Sequence, residues 1–371
     1  MRRNTPLTAV PGASPVRQRA MALSRAGGEV VGPLKGYHHE AYVFAPAAVP
    51  TFDASLLRRI ERVKLRERRP GVESFDRRCF TSEDELLAAL QGRVRRIPEV
   101  VEVDGVPLHG FVEGRTLADR CPPGTPLAAR HLGQLMTLFR ELAVISPDEL
   151  PADRIRTAGD GADDHDTTAF LRCLVRFTEE HVRRRNTARF GTLFDALGIR
   201  PDALPRFAAG LPAFTRRPFS LLHGDLHREN FVVDARGDLW TIDWELAMVG
   251  DPLYDLATHL YLMRYPRGQA SRVATRWRDA MESVRPGSAA GWAHDLPHIL
   301  AYKRAQSVYT DVIRAGLVLR EGGVTQWQLL PRVARRIHGV LESAAGPLGL
   351  AEVPGQWQIV SAYAVWLRTE L

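Results

Sequence analysis

Lysine is nearly missing from this chain. Of its 50 basic residues, 47 are arginine and three are lysine: Lys35, Lys64 and Lys303. Such a bias suits a GC-rich coding sequence, and against it each retained lysine invites a chemical reason. Cysteine is as scarce. Cys79, Cys121 and Cys173 form neither a disulfide framework nor a metal-ligand cluster, so each is expected to be a buried or partly buried thiol. No apolar run reaches membrane-spanning length, which excludes a membrane partner of that kind. The opening Met1-Arg-Arg-Asn-Thr-Pro lacks the apolar core of a signal peptide, so the expected location is cytoplasmic. No internal repeat is visible. The net charge of +7 comes without a basic stripe interleaved with aromatics, so nucleic acid is not an expected partner. That charge serves solubility, or attraction for small polyanions such as nucleotides.

What is present is globular: 371 residues, 45% hydrophobic and 25% charged. That length exceeds what one core usually serves, so two lobes are expected. The chemistry concentrates between Ser220 and Trp244. Phe219 to Leu222 and Phe231 to Val233 read as strands around a polar loop, His223 to Asn230. After a turn at Ala235-Arg-Gly-Asp238, Leu239 to Ile242 delivers Asp243. The spacing Asp225-x-x-x-x-Asn230 is that of the kinase catalytic loop, where the Asp takes the acceptor hydroxyl's proton and the Asn holds Mg²⁺. Phosphoryl transfer needs such a base, and Mg²⁺ needs hard oxygen ligands.

The blocks His223-Gly-Asp-Leu-His-Arg-Glu-Asn230, Ile242-Asp-Trp244 and Gly250-Asp-Pro-Leu-Tyr-Asp-Leu-Ala257 resemble the aminoglycoside phosphotransferase family, to which choline, homoserine and fructosamine kinases are related. The close match is confined to these blocks; the rest agrees in pattern. The resemblance implies an α+β, bilobal protein-kinase-like fold. A small β-rich nucleotide-binding lobe is expected over residues 1–112, with 1–13 disordered, and a larger, mainly helical catalytic and acceptor-binding lobe over 113–371. It implies Asp225 as the catalytic base, Asn230 and Asp243 as Mg²⁺ ligands, and ATP or GTP as phosphate donor. His223 is expected to orient the loop. Arg228 neutralises phosphate or is merely solvated. Asp251 reads as a helix N-cap with Pro252 at the first helical position, and Asp251 and Asp255 as buttresses of the loop.

Upstream, Ser14-Pro15 starts a helix, and Glu29 to Val31 and Ala41 to Phe44 read as strands. The intervening loop carries Gly36. Under the resemblance it covers the nucleotide phosphates; with no G-x-G-x-x-G, a plain hairpin loop stays open. Arg59 to Leu65 reads as the third strand and carries Lys64, the expected partner of the phosphates and of a helix glutamate, or else an exposed strand lysine. Ser82-Glu-Asp-Glu85 is a capping box. Leu86, Leu87 and Leu90 follow Glu83 on one helix face, so Glu83 borders the buried stripe and is the better partner for Lys64, with Glu85 in reserve. Either can instead only cap the helix. A hairpin turns at Asp104-Gly105. Phe111-Val-Glu-Gly-Arg-Thr-Leu117 resembles the family's hinge, which places Phe111 and Glu113 at the nucleotide base; Gly114 lets the chain change direction.

Beyond the hinge, helices are predicted over Leu127 to Ala143, Thr168 to Arg185, Thr192 to Leu197, Pro201 to Phe214, from Gly250-Asp-Pro to Arg264, and over Gln269 to Val284, Leu296 to Leu319, Thr325 to Ser343 and Gln356 to Leu371. The tryptophans on the later helices read as core. The acidic stretch Asp160 to Asp166 holds a cation or is solvated, with Asp166 capping the next helix. The acceptor site is expected between Trp292 and Asp311, with Asp295, Tyr302, Tyr309 and Asp311 as candidates. The reading is a small-molecule O-phosphotransferase acting on a hydroxyl of an antibiotic or related polar metabolite, in self-resistance or biosynthesis, as monomer or homodimer. The absence of D-F-G, A-P-E and an activation-loop-like segment disfavours a protein substrate. Three alternatives remain. One is a metabolic kinase of the choline, homoserine or fructosamine type. A second is a metallohydrolase using His223-x-Asp-x-His227. The third is a non-catalytic nucleotide-binding protein, against which the presence of Asp225, Asn230 and Asp243 argues.

Overall fold

The computed structural model describes residues 14–34, 36, 39–47, 60–69, 75, 77–150, 165–320 and 324–369. Lys35, residues 1–13 and residues 160–164 of the acidic stretch lie outside them.

The first lobe is an antiparallel sheet with one helix laid on it. Helix α1 (Pro15–Leu23) begins as its sequence dictates: the Ser14 hydroxyl accepts the Arg17 N–H at 3.1 Å. The sheet comprises β1 (Val30–Val31), β2 (His39–Phe44), β3 (Val63–Arg68), β4 (Val100–Val103) and β5 (Val106–Gly110), in the order β1-β2-β3-β5-β4. The β4–β5 turn puts both Asp104 (φ 51°) and Gly105 (φ 76°) in the left-handed region that a two-residue hairpin demands. Alternation along β3 buries Val63 and Leu65 beneath α1 and leaves Lys64 and Arg66 on the opposite face.

Helix α2 (Glu83–Leu90) follows, with the Ser82 hydroxyl accepting the Glu85 N–H. Its buried stripe of Leu86, Leu87 and Leu90 does not join the core under the sheet. It packs into the large core of the second lobe, with Phe75, Phe80, Leu135 and Phe139. That packing anchors Glu83 over the junction between the lobes.

The second lobe is mainly helical. In order come β6 (Arg115–Thr116), α3 (Leu117–Arg120), α4 (Ala129–Ala143), α5 (Thr167–Phe177), α6 (Thr187–Ala196), α7 (Ala203–Ala209), β7 (Ser220–Leu222), β8 (Phe231–Val233), β9 (Leu239–Thr241) and β10 (Met248–Gly250). Five helices close the chain: α8 (Pro252–Met263), α9 (Arg267–Glu282), α10 (Trp292–Leu319), α11 (Leu330–Leu348) and α12 (Gln356–Thr369). Asp166 caps α5, accepting the Ala169 N–H at 2.9 Å. The helix expected from Thr168 to Arg185 changes winding after Phe177. There the Thr178 hydroxyl donates to the Leu174 carbonyl at 3.1 Å, and residues 178–183 adopt a wider turn. Trp277 and Trp366 are core, but Trp357 is 86% exposed, contrary to the expectation for the late tryptophans. Two small sheets, β10–β7 and β6-β8-β9, carry the polar loops. The fold is therefore α+β and bilobal, as the sequence implied. No helix among the described residues is long and apolar enough to cross a membrane.

Candidate active site

The loop between β7 and β8 is shaped by its own residues. Gly224 has φ 79°, and a Cβ there would lie 2.5 Å from the Leu246 carbonyl oxygen, so only glycine fits. His223 is fully buried; its Nδ1 accepts the Asp225 N–H at 3.3 Å, so Nε2–H donates to the Ile242 carbonyl at 3.2 Å. Burial pushes this imidazole down to about 4, keeping it neutral. The ring thus ties the loop to β9, and both its nitrogens are used. From the first turn of α8, Asp255 accepts the N–H groups of His223 (3.0 Å) and Gly224 (2.9 Å). Asp251 caps α8 and pairs with Arg217, which also donates to Asp295 at 2.6 Å. Arg228 does not face solvent. It is buried and donates to the carbonyls of Met263, Cys121 and Thr125, which spends its fork on the main chain.

Asp225 emerges from this frame. One oxygen, Oδ2, accepts from His227 Nε2 at 3.1 Å and from Asn230 Nδ2 at 3.0 Å. The Glu229 N–H donates to His227 Nδ1, which fixes the tautomer that donates to Asp225. Burial pushes the Asp225 carboxyl up, but the hydrogen bond from His227 and the nearby Lys303 charge help to outweigh it and hold the group below the usual carboxylate range. Because the Asn230 NH₂ is given to Asp225, its amide oxygen is turned to other use.

Asp243 follows β9 with φ 65°, a strained conformation for a residue with a side chain. Its Oδ1 is shielded from solvent and accepts no hydrogen bond among the described residues; the Arg66 guanidinium stands 3.7 Å away. Ligand atoms of Glu83, Asp243 and Glu245 lie within 4.8 Å of one another. Burial and the neighbouring Glu83 charge push the Asp243 carboxyl up, and burial with the Asp243 charge pushes Glu245 to about 7. This set of crowded carboxylates, an unsatisfied buried oxygen and the Asn230 amide oxygen fits a divalent hard cation.

The expected Lys64–Glu83 pair is corrected. Glu83 Oε2 is bound by Arg66, and Oε1 accepts the Trp244 N–H at 2.9 Å. Arg66 lies two residues beyond Lys64 on the same face of β3, and its longer fork reaches α2. Lys64 remains nearby, its pKa lowered by burial and the Arg66 charge and partly restored by Glu83 and Asp243. Glu85 sits at the helix cap, exposed. At the hinge, the Glu113 carboxylate is gripped by Arg62 through two bonds of 2.6 Å, and that guanidinium lies 4.9 Å from the centre of the Phe111 ring. Gly114 is required for contact rather than for a turn: a Cβ would meet the Val233 carbonyl oxygen at 2.4 Å. Gly36 is exposed between β1 and β2, and its immediate neighbours lie outside the described residues.

A cavity of about 550 Å³ brings Asp225, Asn230 and Asp243 together and continues along α8 and α10, where Tyr254, Tyr261, Lys303 and Arg314 line it. Of the acceptor candidates, Tyr302 and Asp311 line this cavity. Asp295 does not: it is fully buried against Arg217. Tyr309 packs edge-on against Phe194. The histidine-based hydrolase reading loses its ligands, since His223 is spent on main-chain bonds and the carboxylate cluster contains no histidine. Sequence reading missed Glu245 and Lys303. The signals were a carboxylate two residues after Asp243 and the rarity of lysine.

The model of the phosphotransferase enzyme family matches residues 43–287. Among curated proteins no sequence match is found. Among solved structures, a candidate aminoglycoside phosphotransferase of Ralstonia eutropha is similar with a TM-score of 0.55 at 15% identity, over 91% of this chain and 98% of that one. Choline kinase LicA of Streptococcus pneumoniae is similar with a TM-score of 0.50 at 14% identity, over 89% and 98%. At such identities these two likenesses speak for the fold alone. The family match spans well over half of the sequence and includes the whole loop, and the chain belongs to the phosphotransferase enzyme family.

Proposed function

We propose that this phosphotransferase moves the γ-phosphate of ATP or GTP to a hydroxyl of a small polar molecule, with Asp225 as base. The observation that carries the reading is the Asp225 carboxylate on the cavity wall, held through Oδ2 by His227 and Asn230 beside Asp243. With Oδ2 so engaged, Oδ1 is the oxygen that takes the acceptor's proton. As that O–H bond breaks, the acceptor oxygen forms a bond to the γ-phosphorus and the nucleoside diphosphate leaves. His223 and Asp255 hold the loop main chain while this happens, and Asp243 lines the same cavity as Asn230. Asn230 and Asp243 would hold Mg²⁺, with Glu245 as a third oxygen donor. When bound, the ion neutralises charge on the transferring phosphoryl group. Lys64 and Arg66 supply positive charge toward the phosphates. Gly36, Phe111 and Glu113 border the nucleotide in this reading, and the lobes divide near residue 112. An antibiotic or a related polar metabolite is the acceptor class we favour.

The test is phosphate transfer from ATP and GTP to a panel of hydroxylated antibiotics and metabolites, followed by ³¹P NMR. Asp225→Ala should lower turnover by roughly 10² or more, the scale of positioned acid–base catalysis, with nucleotide binding kept. Near-normal turnover of folded Asp225→Ala, or a phosphoprotein as the product, would sink the proposal.

A further inference from the structure

We infer that the acceptor carries an apolar ring system beside its hydroxyl-bearing polar end, and that Phe177 selects for it. This rests on the phosphotransferase reading above and deepens it. The cavity of about 550 Å³ is of a size that takes a drug-sized molecule, roughly 300–1,000 Å³. The end that holds Asp225 is polar, but much of the remaining wall is not. Tyr254 and Tyr302 line it with ring centres 6.5 Å apart. Leu174 and Phe177 add a wall from α5, three residues apart and so on one helix face. Several polar groups on the same walls are spent within the protein. Lys303 donates to the Tyr254 hydroxyl at 3.2 Å. Ser307 accepts the Tyr261 hydroxyl at 2.6 Å and donates to the Arg304 carbonyl at 2.9 Å. Asp311 is bound by Arg336, and Arg77 and Arg314 have partners of their own. The Gln306 side chain makes no hydrogen bond among the described residues, so it can meet a polar edge of the ligand. An acceptor that is hydroxylated all round would press hydroxyls against ring faces and leave them without partners. An apolar ring gains from those same surfaces.

Phe177 has the critical place. It is the last residue of regular winding in α5, and residues 178–183 take the wider turn. Turns of that kind inside helices recur at functional sites. Here the turn is tied to the α10 wall, because the Tyr302 hydroxyl lies 2.9 Å from both the Thr178 hydroxyl and the Leu174 carbonyl. Within the turn, His181 stacks on Phe177, the ring centres 4.7 Å apart and the planes 8° from parallel. The His181 Nδ1 is shielded from solvent and has no hydrogen-bond partner among the described residues, so no bond at that atom pulls the imidazole away from the stack. Phe177 is therefore backed by a second ring while its half-buried side chain borders the cavity. An aromatic ring held in this way offers a preformed apolar surface to a ring of the ligand.

The test uses four β-glucosides that differ in the group on the anomeric oxygen: methyl, phenyl, cyclohexyl and, in cellobiose, a second glucose. Each is titrated into the full chain with Mg·ADP and followed by saturation-transfer NMR. The phenyl or the cyclohexyl glucoside should bind roughly tenfold or more tightly than cellobiose or the methyl glucoside, the scale of burying one apolar ring. The two rings separate an aromatic from an alicyclic preference. Saturation should be strongest on the protons of the apolar ring, a readout that needs no variant. Phe177→Ala should remove most of the preference with Mg·ADP affinity kept, and Phe177→Tyr should retain it. Cellobiose binding as tightly as both ring glucosides, no saturable binding of either ring glucoside, saturation centred on the sugar, or an unchanged preference in a folded Phe177→Ala protein would overturn the inference. Mg·ADP affinity and transfer from ATP are measured on the same samples. Failure of both removes the phosphotransferase reading, whereas intact nucleotide chemistry with a preference for cellobiose removes only this inference.

Discussion

Two clusters of charge in this molecule are built on opposite plans. Around Arg217 every charge is answered: the guanidinium is fully buried, Asp251 takes two of its nitrogens, and Asp295 and the Ala290 carbonyl take a third. Around Asp243 the charges are only partly answered. Arg66 binds Glu83 and Arg78 binds Glu245, but the three carboxylates crowd together, one oxygen of Asp243 is unsatisfied, and the Asp243 backbone is strained. A satisfied network holds the fold in one arrangement, while an unsatisfied one stores affinity for something not yet bound. The first cluster fixes α8 and so the loop that Asp255 supports. The second is where a cation and a triphosphate would relieve the conflict.

Breaking the first cluster should have the largest effect. Arg217→Met strands Asp251 and Asp295 in the interior, and loss of one partner of a buried ion network costs roughly 3–5 kcal/mol. Urea denaturation should show that loss with an unchanged m-value, and a change within 1 kcal/mol or so would place the network at a less critical point of the fold.

The second cluster should respond with the opposite sign. Asp243→Asn removes one of three neighbouring carboxylates, so the apo protein should gain a little stability, a gain that solvent screens because this side chain is 43% exposed. Phosphate transfer should fall by roughly 10² or more as a positioned oxygen ligand is lost. A variant both less stable and fully active would erase the contrast between the clusters.

Arg66 and Lys64 sharpen it further. Arg66→Ala frees Glu83 and should weaken nucleotide use roughly tenfold, the value of a charge-assisted bond. Lys64→Ala should act on nucleotide KM without disturbing the Glu83–Trp244 bond. Identical effects from both substitutions would show that the two residues form one functional unit rather than dividing bracing from phosphate contact.

The loop was legible because its information is local. His223, Asp225 and Asn230 sit within eight residues, and each bond among them follows from the turn that Gly224 permits. The caps at Ser14, Ser82, Asp166 and Asp251 were legible for the same reason. Strand register was not. Residues 59 to 68 carry five basic side chains, so polarity alone does not say which of them face the cleft, and the observed strand lies further along than the one expected. Asp295 and Lys303 were harder still. Both stand on α10, but which face meets the cavity is decided by the packing of α10 on α8 and α11, which no short window of sequence contains. Asp295 looked exposed to a substrate and instead answers Arg217 from residues 78 positions earlier.

The smallest effect is the most diagnostic, because it reads the conflict around Asp243 directly. In the cation-free protein the Asp243 carboxyl is raised and Glu245 is raised to about 7, burial being the first cause in both. The folded state therefore holds protons that the unfolded chain releases. For Glu245 the stabilising contribution is fully present below its ordinary value of 4.5 and is lost as pH rises through about 7, and Asp243 adds a loss of the same sign above its own ordinary value. A cation needs these groups ionised, so its binding must expel the protons. Mg²⁺ affinity, measured with ADP present, should rise with pH up to about 7 and then level off, by at most about tenfold per pH unit for a single coupled proton. Calorimetry in two buffers of different ionisation enthalpy counts the protons: close to one released per ion at pH 6, and close to none at pH 8.5. Glu245→Gln should flatten this dependence, while Asp251→Asn, in the cluster whose charges are already answered, should leave it as it was. Proton release that is the same at both pH values would mean that the three carboxylates are already ionised together and that the conflict inferred around Asp243 does not exist.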